Sequence, residues 1–237
     1  MWLVFLILAV STAFSEVLYI ASAASLRPVI PEILDEFTRS NQGIKLRVIF
    51  GSSGSLYAKI KEGAPYHVFL SADTFYPKRL IEEGLALKES YLEYAEGKLV
   101  VVYRRISMET MDDLVNANRI AVPNPRFAPY GKASVEALRR SGLLERVKDR
   151  IVYGSNVSQT AQFVSTGTAD TGFLSMSLAL HMSASFIPVP EHLYDPVVHA
   201  MVITVKGKDV EPAWEFLRFM KSQRAKSILK KHGFGVR

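Results

Sequence analysis

Two turns rich in serine could hold an anion. Each follows a β-like apolar segment and precedes a helical pattern, at residues 21–25 and 51–55. Such a turn exposes backbone N–H groups, hydroxyl donors and the positive end of a helix dipole together. Serine also caps helices and forms turns, so one such turn alone indicates no site. Two of them at the carboxyl ends of the first two predicted strands, where open α/β sheets bind ligands, predict one small anion held from two sides. The serines concerned are Ser22, Ser25, Ser52, Ser53 and Ser55.

Two later loops are candidates for the other side of this site. Residues 122–131 form a proline-rich loop between a predicted strand and a predicted helix, and residues 154–158 occupy the equivalent place one unit later. Most loops of this kind bind nothing. Their last residues nevertheless direct amides toward a helix start.

Enzymatic chemistry has weaker support in the residue pattern. The five histidines are scattered without paired metal-ligand spacing, and there is no cysteine. Residues 51–55 read G-S-S-G-S, which differs from the G-x-S-x-G nucleophile elbow, and no lysine stands where a P-loop needs one. We therefore expect no catalytic residue, no cofactor and no direct protein ligand to a metal. An exported serine hydrolase that uses Ser53 with a histidine is the enzymatic alternative.

The amino terminus predicts export. Residues 1–14 are almost continuously apolar and too few for a comfortable membrane span, and small residues occupy positions −3 and −1 of a cleavage site after Ser15. No Lys or Arg precedes the apolar stretch, so an uncleaved anchor is the alternative to a signal peptide at 1–15. The net charge of +6 favours anionic partners in general. Because no basic cluster is interleaved with aromatic residues, we expect no nucleic-acid partner.

Strand and helix patterns alternate along the chain, which predicts an α/β protein with largely parallel sheets. Extended segments near 96–103 and 195–205 are candidate crossings between two lobes. The predicted lobes are 16–95 with 199–237, and 96–198. The predicted strands are 17–21, 45–50, 68–71, 98–103, 119–122, 151–153, 171–175, 186–189 and 198–205. The predicted helices are 27–40, 55–62, 75–83, 111–117, 132–141, 158–165, 177–182 and 212–230.

Four motifs occur in one order: A-A-S-L at 23–26, F-G-S-S-G-S-L at 50–56, G-A-P-x-x-V-F-L-S-A-D at 63–73, and H-G-F at 232–234. With them the chain resembles the periplasmic molybdate-binding proteins of ABC importers. The resemblance implies a type II periplasmic-binding-protein fold, with two α/β lobes, a hinge and a ligand cleft between them. It also implies a monomeric periplasmic protein that captures molybdate, tungstate or both and delivers the ion to a membrane ABC permease. The same fold binding another anion, such as sulfate, is the alternative.

The resemblance also assigns the residues that bind the oxyanion. It implies hydroxyl donors at Ser25 and Ser53, and backbone amides at Tyr130 and Val157. Some members of the family supply a further tyrosine hydroxyl, at a position that Ser175 occupies here. A second departure is a histidine at position 67, where the family commonly has aspartate.

Overall fold

The computed structural model describes residues 17–104 and 106–236. The predicted signal peptide at 1–15 and its cleavage site lie outside them. Among the described residues, no helix has the length and apolar character that crossing a membrane requires. The strands are β1 (Val17–Ala23), β2 (Lys45–Gly51), β3 (Val68–Ser71), β4 (Leu92–Gly97), β5 (Leu99–Tyr103), β6 (Ile120–Pro123), β7 (Ile151–Gly154), β8 (Thr171–Ser175), β9 (Ser185–Pro188), β10 (Val197–Ile203) and β11 (Gly235–Val236). The α-helices are α1 (Ile30–Ser40), α2 (Ser53–Lys61), α3 (Phe75–Glu82), α4 (Pro129–Arg140), α5 (Leu144–Val147), α6 (Val157–Thr166), α7 (Met176–Ala179), α8 (Glu211–Met220) and α9 (Gln223–Lys231).

The strands form two separate sheets. The first has the order β11-β4-β10-β3-β1-β2, and the second has the order β7-β6-β8-β5-β9. Strands β1, β2 and β3 are parallel, as are β6, β7 and β8, whereas β4, β5, β9, β10 and β11 pair antiparallel to their neighbours. The predicted α/β class is confirmed, but the sheets are mixed rather than largely parallel. The parallel part of each sheet places its carboxyl strand ends, and the loops that follow them, on one edge.

The chain passes between the sheets twice. Strand β4 ends in the first sheet at Gly97, and β5 begins in the second at Leu99, so Lys98 alone joins them. The return runs from the end of β9 to the start of β10. The first connection is therefore a single residue, whereas the second covers residues 189–196 and contains a 3₁₀ turn at Glu191–Leu193.

Two of the elements that differ from the prediction have a clear physical reason. The pattern at 212–230 predicts one helix, but the structure has α8 and α9, with Ser222 between them. The Ser222 hydroxyl accepts the amide of Ala225 at 3.2 Å and begins the second helix. Strand β4 was not predicted, because Glu93 and Glu96 interrupt its apolar pattern. Its partners β10 and β11 come from the far end of the chain.

Candidate functional site

The loops after the parallel strands of both sheets meet at one cavity of about 210 Å³, measured with its open mouth. The first sheet contributes residues 23–25, 51–53 and 72, and the second contributes 128–130 and 156–157. Four of the five predicted oxyanion-binding residues are in this lining, and all four are buried. Among the lining residues none carries a charged side chain. The four are Ser25, Ser53, Tyr130 and Val157.

Hydrogen bonds join the two sides around the cavity. The amide of Gly54 donates to the carbonyl of Phe127 at 2.9 Å, and the hydroxyl of Ser158 donates to the carbonyl of Ala24 at 3.3 Å. A Cβ atom at Gly54 would lie 2.5 Å from the hydroxyl oxygen of Tyr76 and 3.0 Å from the Cα of Phe127. Glycine at position 54 therefore lets the two sides approach this closely.

Two serines of the 51–55 turn have different roles: one caps a helix, and the other places its hydroxyl at the cavity. Ser52 is the N-cap of α2, where its hydroxyl accepts the amide of Ser55. Ser53 is fully buried, and its hydroxyl oxygen accepts the amide of Ala72 at 2.9 Å. Because a hydroxyl accepts and donates independently, the proton of Ser53 remains available to an acceptor in the cavity.

Ser25 has a partner that the sequence did not reveal. Its hydroxyl oxygen lies 3.1 Å from Nε2 of His199, a fully buried residue of β10. The other ring nitrogen, Nδ1, lies 3.2 Å from the carbonyl oxygen of Val197. Burial lowers the pKa of His199 to about 4, against a raising effect of the Val197 hydrogen bond. The ring is therefore neutral near pH 7.

The opposite side offers backbone amides at two helix starts. Tyr130 is the second residue of α4 and Val157 the first of α6. The first N–H groups of an α-helix have no partner within the helix and carry the positive end of its dipole. In α6, the side-chain oxygen of Asn156 accepts the amides of Ser158 and Gln159, so the cap leaves the Val157 amide to another acceptor.

Two residues that the resemblance singled out lie away from the cavity. Ser175 is buried as the N-cap of α7, where its hydroxyl accepts the amide of Leu178 at 3.4 Å. It is not part of the lining, and it reaches Ser25 only through Ser177, whose hydroxyl donates to the Ser25 carbonyl at 2.6 Å. His67 accepts the amide of Tyr19 through Nδ1, at the end of β1 remote from the cavity.

A carboxylate lies in a second pocket beside the cavity. Asp73 accepts the amide of Tyr76, in the first turn of α3, at 3.0 Å, and it also accepts the hydroxyl of Ser71. Burial raises the pKa of Asp73 to about 6, although these hydrogen bonds and the charge of Lys132 oppose that shift. Lys132 belongs to α4 on the opposite side, and both residues line this second pocket.

The hydrogen bonds of Ser53 and His199 bear on the hydrolase alternative. Ser53 accepts a backbone amide, and the Nδ1 of His199 faces a carbonyl rather than a carboxylate. Across residues 17–104 and 106–236, no cluster of three or more side chains is placed to hold a metal ion. The geometry suits reversible binding of a small acceptor-rich solute.

Two α/β sheets with a buried, donor-lined cavity between their strand ends form a typical place for a small ligand to bind. A sequence profile of bacterial extracellular solute-binding proteins matches residues 18–235. The chain belongs to this family.

Relatives place it more narrowly. The molybdate-binding protein ModA of Rhodobacter capsulatus is 34% identical over 238 residues, covering 94% of each chain. ModA of Azotobacter vinelandii is 33% identical over 225 residues, covering 92% of this chain and 89% of that protein. The solved structure of the periplasmic molybdate-binding protein of Azotobacter vinelandii superposes with a TM-score of 0.87 at 31% identity, covering 93% of this chain and 99% of that one. The resemblance to the molybdate-binding protein family and the predicted fold are confirmed.

Proposed function

We propose that this chain captures molybdate, tungstate or both in the cavity between its sheets and delivers the ion to a membrane ABC permease. The observation that carries this proposal is the meeting of Ser25, Ser53 and two helix-start amides at one cavity whose lining has no charged side chain. The relatives are molybdate-binding proteins, which supports the choice of ligand.

Neutral donors are sufficient for a tetrahedral dianion. A hydrogen bond to a charged group contributes about 1.5–3 kcal/mol, and the low dielectric of a buried site strengthens it. A site built from donors disfavours protonated phosphate, because the ligand O–H would lack an acceptor. Sulfate is fully ionised as well, so the size of the cavity must discriminate against it.

The two sheets are the cores of the two lobes in this proposal, 16–95 with 199–237 and 96–198. The short crossings beside Lys98 and before β10 act as the hinge, and closure brings the donors of both lobes onto the ion. We further infer that the protein works in the periplasm as a monomer, after cleavage of residues 1–15, and has no catalytic activity.

Titration calorimetry with molybdate, tungstate, sulfate and phosphate tests the proposal. We expect strong binding of molybdate or tungstate and much weaker binding of the other two anions. Sulfate binding as strong as molybdate binding would contradict the specificity, and no binding of any of the four would contradict the function.

The double variant Ser25→Ala, Ser53→Ala tests the site itself. It removes both hydroxyl donors, so the affinity should fall more than a hundredfold, given about 1.5–3 kcal/mol for each hydrogen bond to a charge. Ser22→Ala is the matched control, since Ser22 is an equally buried serine of β1 outside the lining. An unchanged affinity of the double variant would move the site elsewhere.

A further inference from the structure

The hydroxyl of Ser25 has one proton, and two hydrogen-bond acceptors compete for it. Its oxygen lies 3.1 Å from Nε2 of His199 on one side, and Ser25 lines the oxyanion cavity on the other. A hydroxyl donates a single hydrogen bond. Which acceptor receives it depends on which ring nitrogens of His199 are protonated.

The structure settles this for a neutral ring. The carbonyl oxygen of Val197, 3.2 Å from Nδ1, can only accept, so Nδ1 carries the proton of the neutral imidazole. Nε2 is then an acceptor, and the Ser25 hydroxyl donates to it. In that arrangement Ser25 presents a lone pair to the cavity, which repels an anion.

An arriving dianion reverses this arrangement. If the Ser25 proton turns to the anion, Nε2 and the Ser25 oxygen face each other as two acceptors, buried and without a proton between them. A proton on Nε2 removes the conflict: Nδ1–H donates to Val197, Nε2–H donates to Ser25, and Ser25 donates to the anion. All three hydrogen bonds then point the same way, toward the negative charge.

We propose that His199 is a positioning residue that couples oxyanion binding to the uptake of one proton from solvent onto its Nε2. The inference rests on the proposed function, because the oxyanion is what draws the Ser25 proton into the cavity. The proton needs no donor in the protein, since solvent supplies it as the anion binds.

The surroundings of the ring support a proton that arrives with the anion. Burial holds the pKa of His199 at about 4, so the ring is neutral before binding, and a dianion one hydroxyl away raises that pKa. The titratable groups that pack against the ring are Tyr94 of β4 and Tyr130 of α4, with ring centroids at 6.1 and 6.0 Å. Burial raises the pKa of both phenols, so both stay neutral. The third ring in contact, Phe234, does not titrate.

The coupling predicts a pH dependence with a definite sign. Affinity should rise as pH falls below the pKa that His199 has in the complex, and it should level off near the free value of about 4. Between these limits the dissociation constant should change by up to about tenfold per pH unit, because one proton is bound with each anion.

The experiment is calorimetric titration of the full chain with sodium molybdate at about pH 6.5, repeated in buffers of different ionisation enthalpy. The dependence of the observed heat on the buffer gives the number of protons taken up. We expect an uptake above zero for the wild-type protein that increases toward one as the pH is lowered toward about 5. His199→Gln should bring the uptake to zero and flatten the pH profile, since its side-chain amide donates to Ser25 without titrating. His67→Gln is the matched control, a histidine remote from the cavity whose loss should leave the uptake unchanged.

The possible failures are distinguishable. Molybdate binding without proton uptake would overturn this inference and leave the proposed function intact, whereas no binding of molybdate would overturn both. Because His199→Gln could fail to fold, the ¹⁵N shift of Nε2 in the wild-type protein gives a second readout. A change from an unprotonated to a protonated nitrogen on adding molybdate supports the coupling, and an unchanged shift overturns it.

Discussion

The two sides of the cavity differ in the kind of hydrogen-bond donor that we propose for the ion. On the side of the first sheet the proposed donors are side-chain hydroxyls, and each already has a protein partner: Ser53 the amide of Ala72, Ser25 the ring of His199. On the side of the second sheet the proposed donors are the main-chain amides of Tyr130 and Val157, fixed by the starts of α4 and α6.

The difference determines which side can be adjusted by substitution. A hydroxyl can be removed, or redirected by a neighbour such as His199, whereas an amide remains whatever side chain its residue has. We infer that sensitivity to pH and to point substitution belongs to the first side, and that the second side supplies a fixed frame.

Separating the two sides of the cavity should cause the largest loss of affinity for molybdate. Gly54→Val places bulk against the Cα of Phe127, where a Cβ alone would be at 3.0 Å, and so prevents both sides from reaching one ion. Loss of two donors at about 1.5–3 kcal/mol each predicts an affinity more than a hundredfold lower. Calorimetric titration with molybdate measures the affinity of Gly54→Val. Ala58→Val, on the exposed face of α2, is the control. Equal affinities for the two variants would show that the sides do not act together.

Removing one side chain from each side tests the comparison directly. Ser53→Ala removes a hydroxyl donor and should weaken molybdate binding about ten- to hundredfold. Val157→Ala keeps its amide, so binding should fall at most about threefold through altered packing. Calorimetric titration of both variants with molybdate, in the same buffer, compares the two losses of affinity. Equal losses would mean that side chains matter alike on both sides.

Asp73, in the second pocket beside the cavity, should make the stability of the protein depend on pH. Because burial raises its pKa to about 6, the folded state holds a proton that the unfolded state has lost between about pH 4 and 6. The free-energy cost of ionising Asp73 in the folded protein is therefore absent below this pH window and fully present above it. Asp73→Asn keeps an acceptor for the Tyr76 amide and should stabilise the protein by about 1–2 kcal/mol at neutral pH. This is below the ~3 kcal/mol of a two-unit shift, because the residue is partly exposed.

Denaturant unfolding at about pH 7.5 and about pH 4 measures this effect. The gain should vanish at the lower pH. The exposed Asp35→Asn on α1 is the control and should show no gain that depends on pH. A stability gain of Asp73→Asn that is the same at both pH values would refute the assignment.

The substitution Tyr130→Phe should change stability and molybdate affinity the least. The phenol oxygen is buried and, within the described residues, has no protein hydrogen-bond partner, while the residue contributes its amide to the site. Removal of the hydroxyl should stabilise the protein by about 1 kcal/mol and change affinity less than threefold. Thermal unfolding and calorimetry check both values. A large loss of affinity would mean that the hydroxyl, and not only the amide, serves the ligand.

The local part of the site could be predicted from the sequence. Ser25 and Ser53 stand in turns whose chemistry is set by a few neighbouring residues, and the loops before α4 and α6 follow the same rule. The helix start was misplaced by three residues at α4, which begins at Pro129 rather than at 132. The proline was assigned to the loop, although its fixed φ suits a first helical turn.

The long-range part could not be predicted. His199 meets Ser25 across 174 positions of sequence, through a strand order that no local pattern encodes. Its only signal is one histidine in an otherwise apolar strand, which is compatible with simple packing. Ser175 shows the converse: its place in the family pattern predicts a donor to the ion, while the local turn makes it the cap of α7, outside the cavity lining.

The most direct test of the oxyanion site is a crystal structure of the tungstate complex with anomalous scattering from tungsten. We expect one strong peak between the two sheets, with oxygen atoms within hydrogen-bond distance of the Ser25 and Ser53 hydroxyls and of the Tyr130 and Val157 amides. A tungsten peak elsewhere, or one held by lysine or arginine side chains, would contradict an ion bound by neutral donors from both sides.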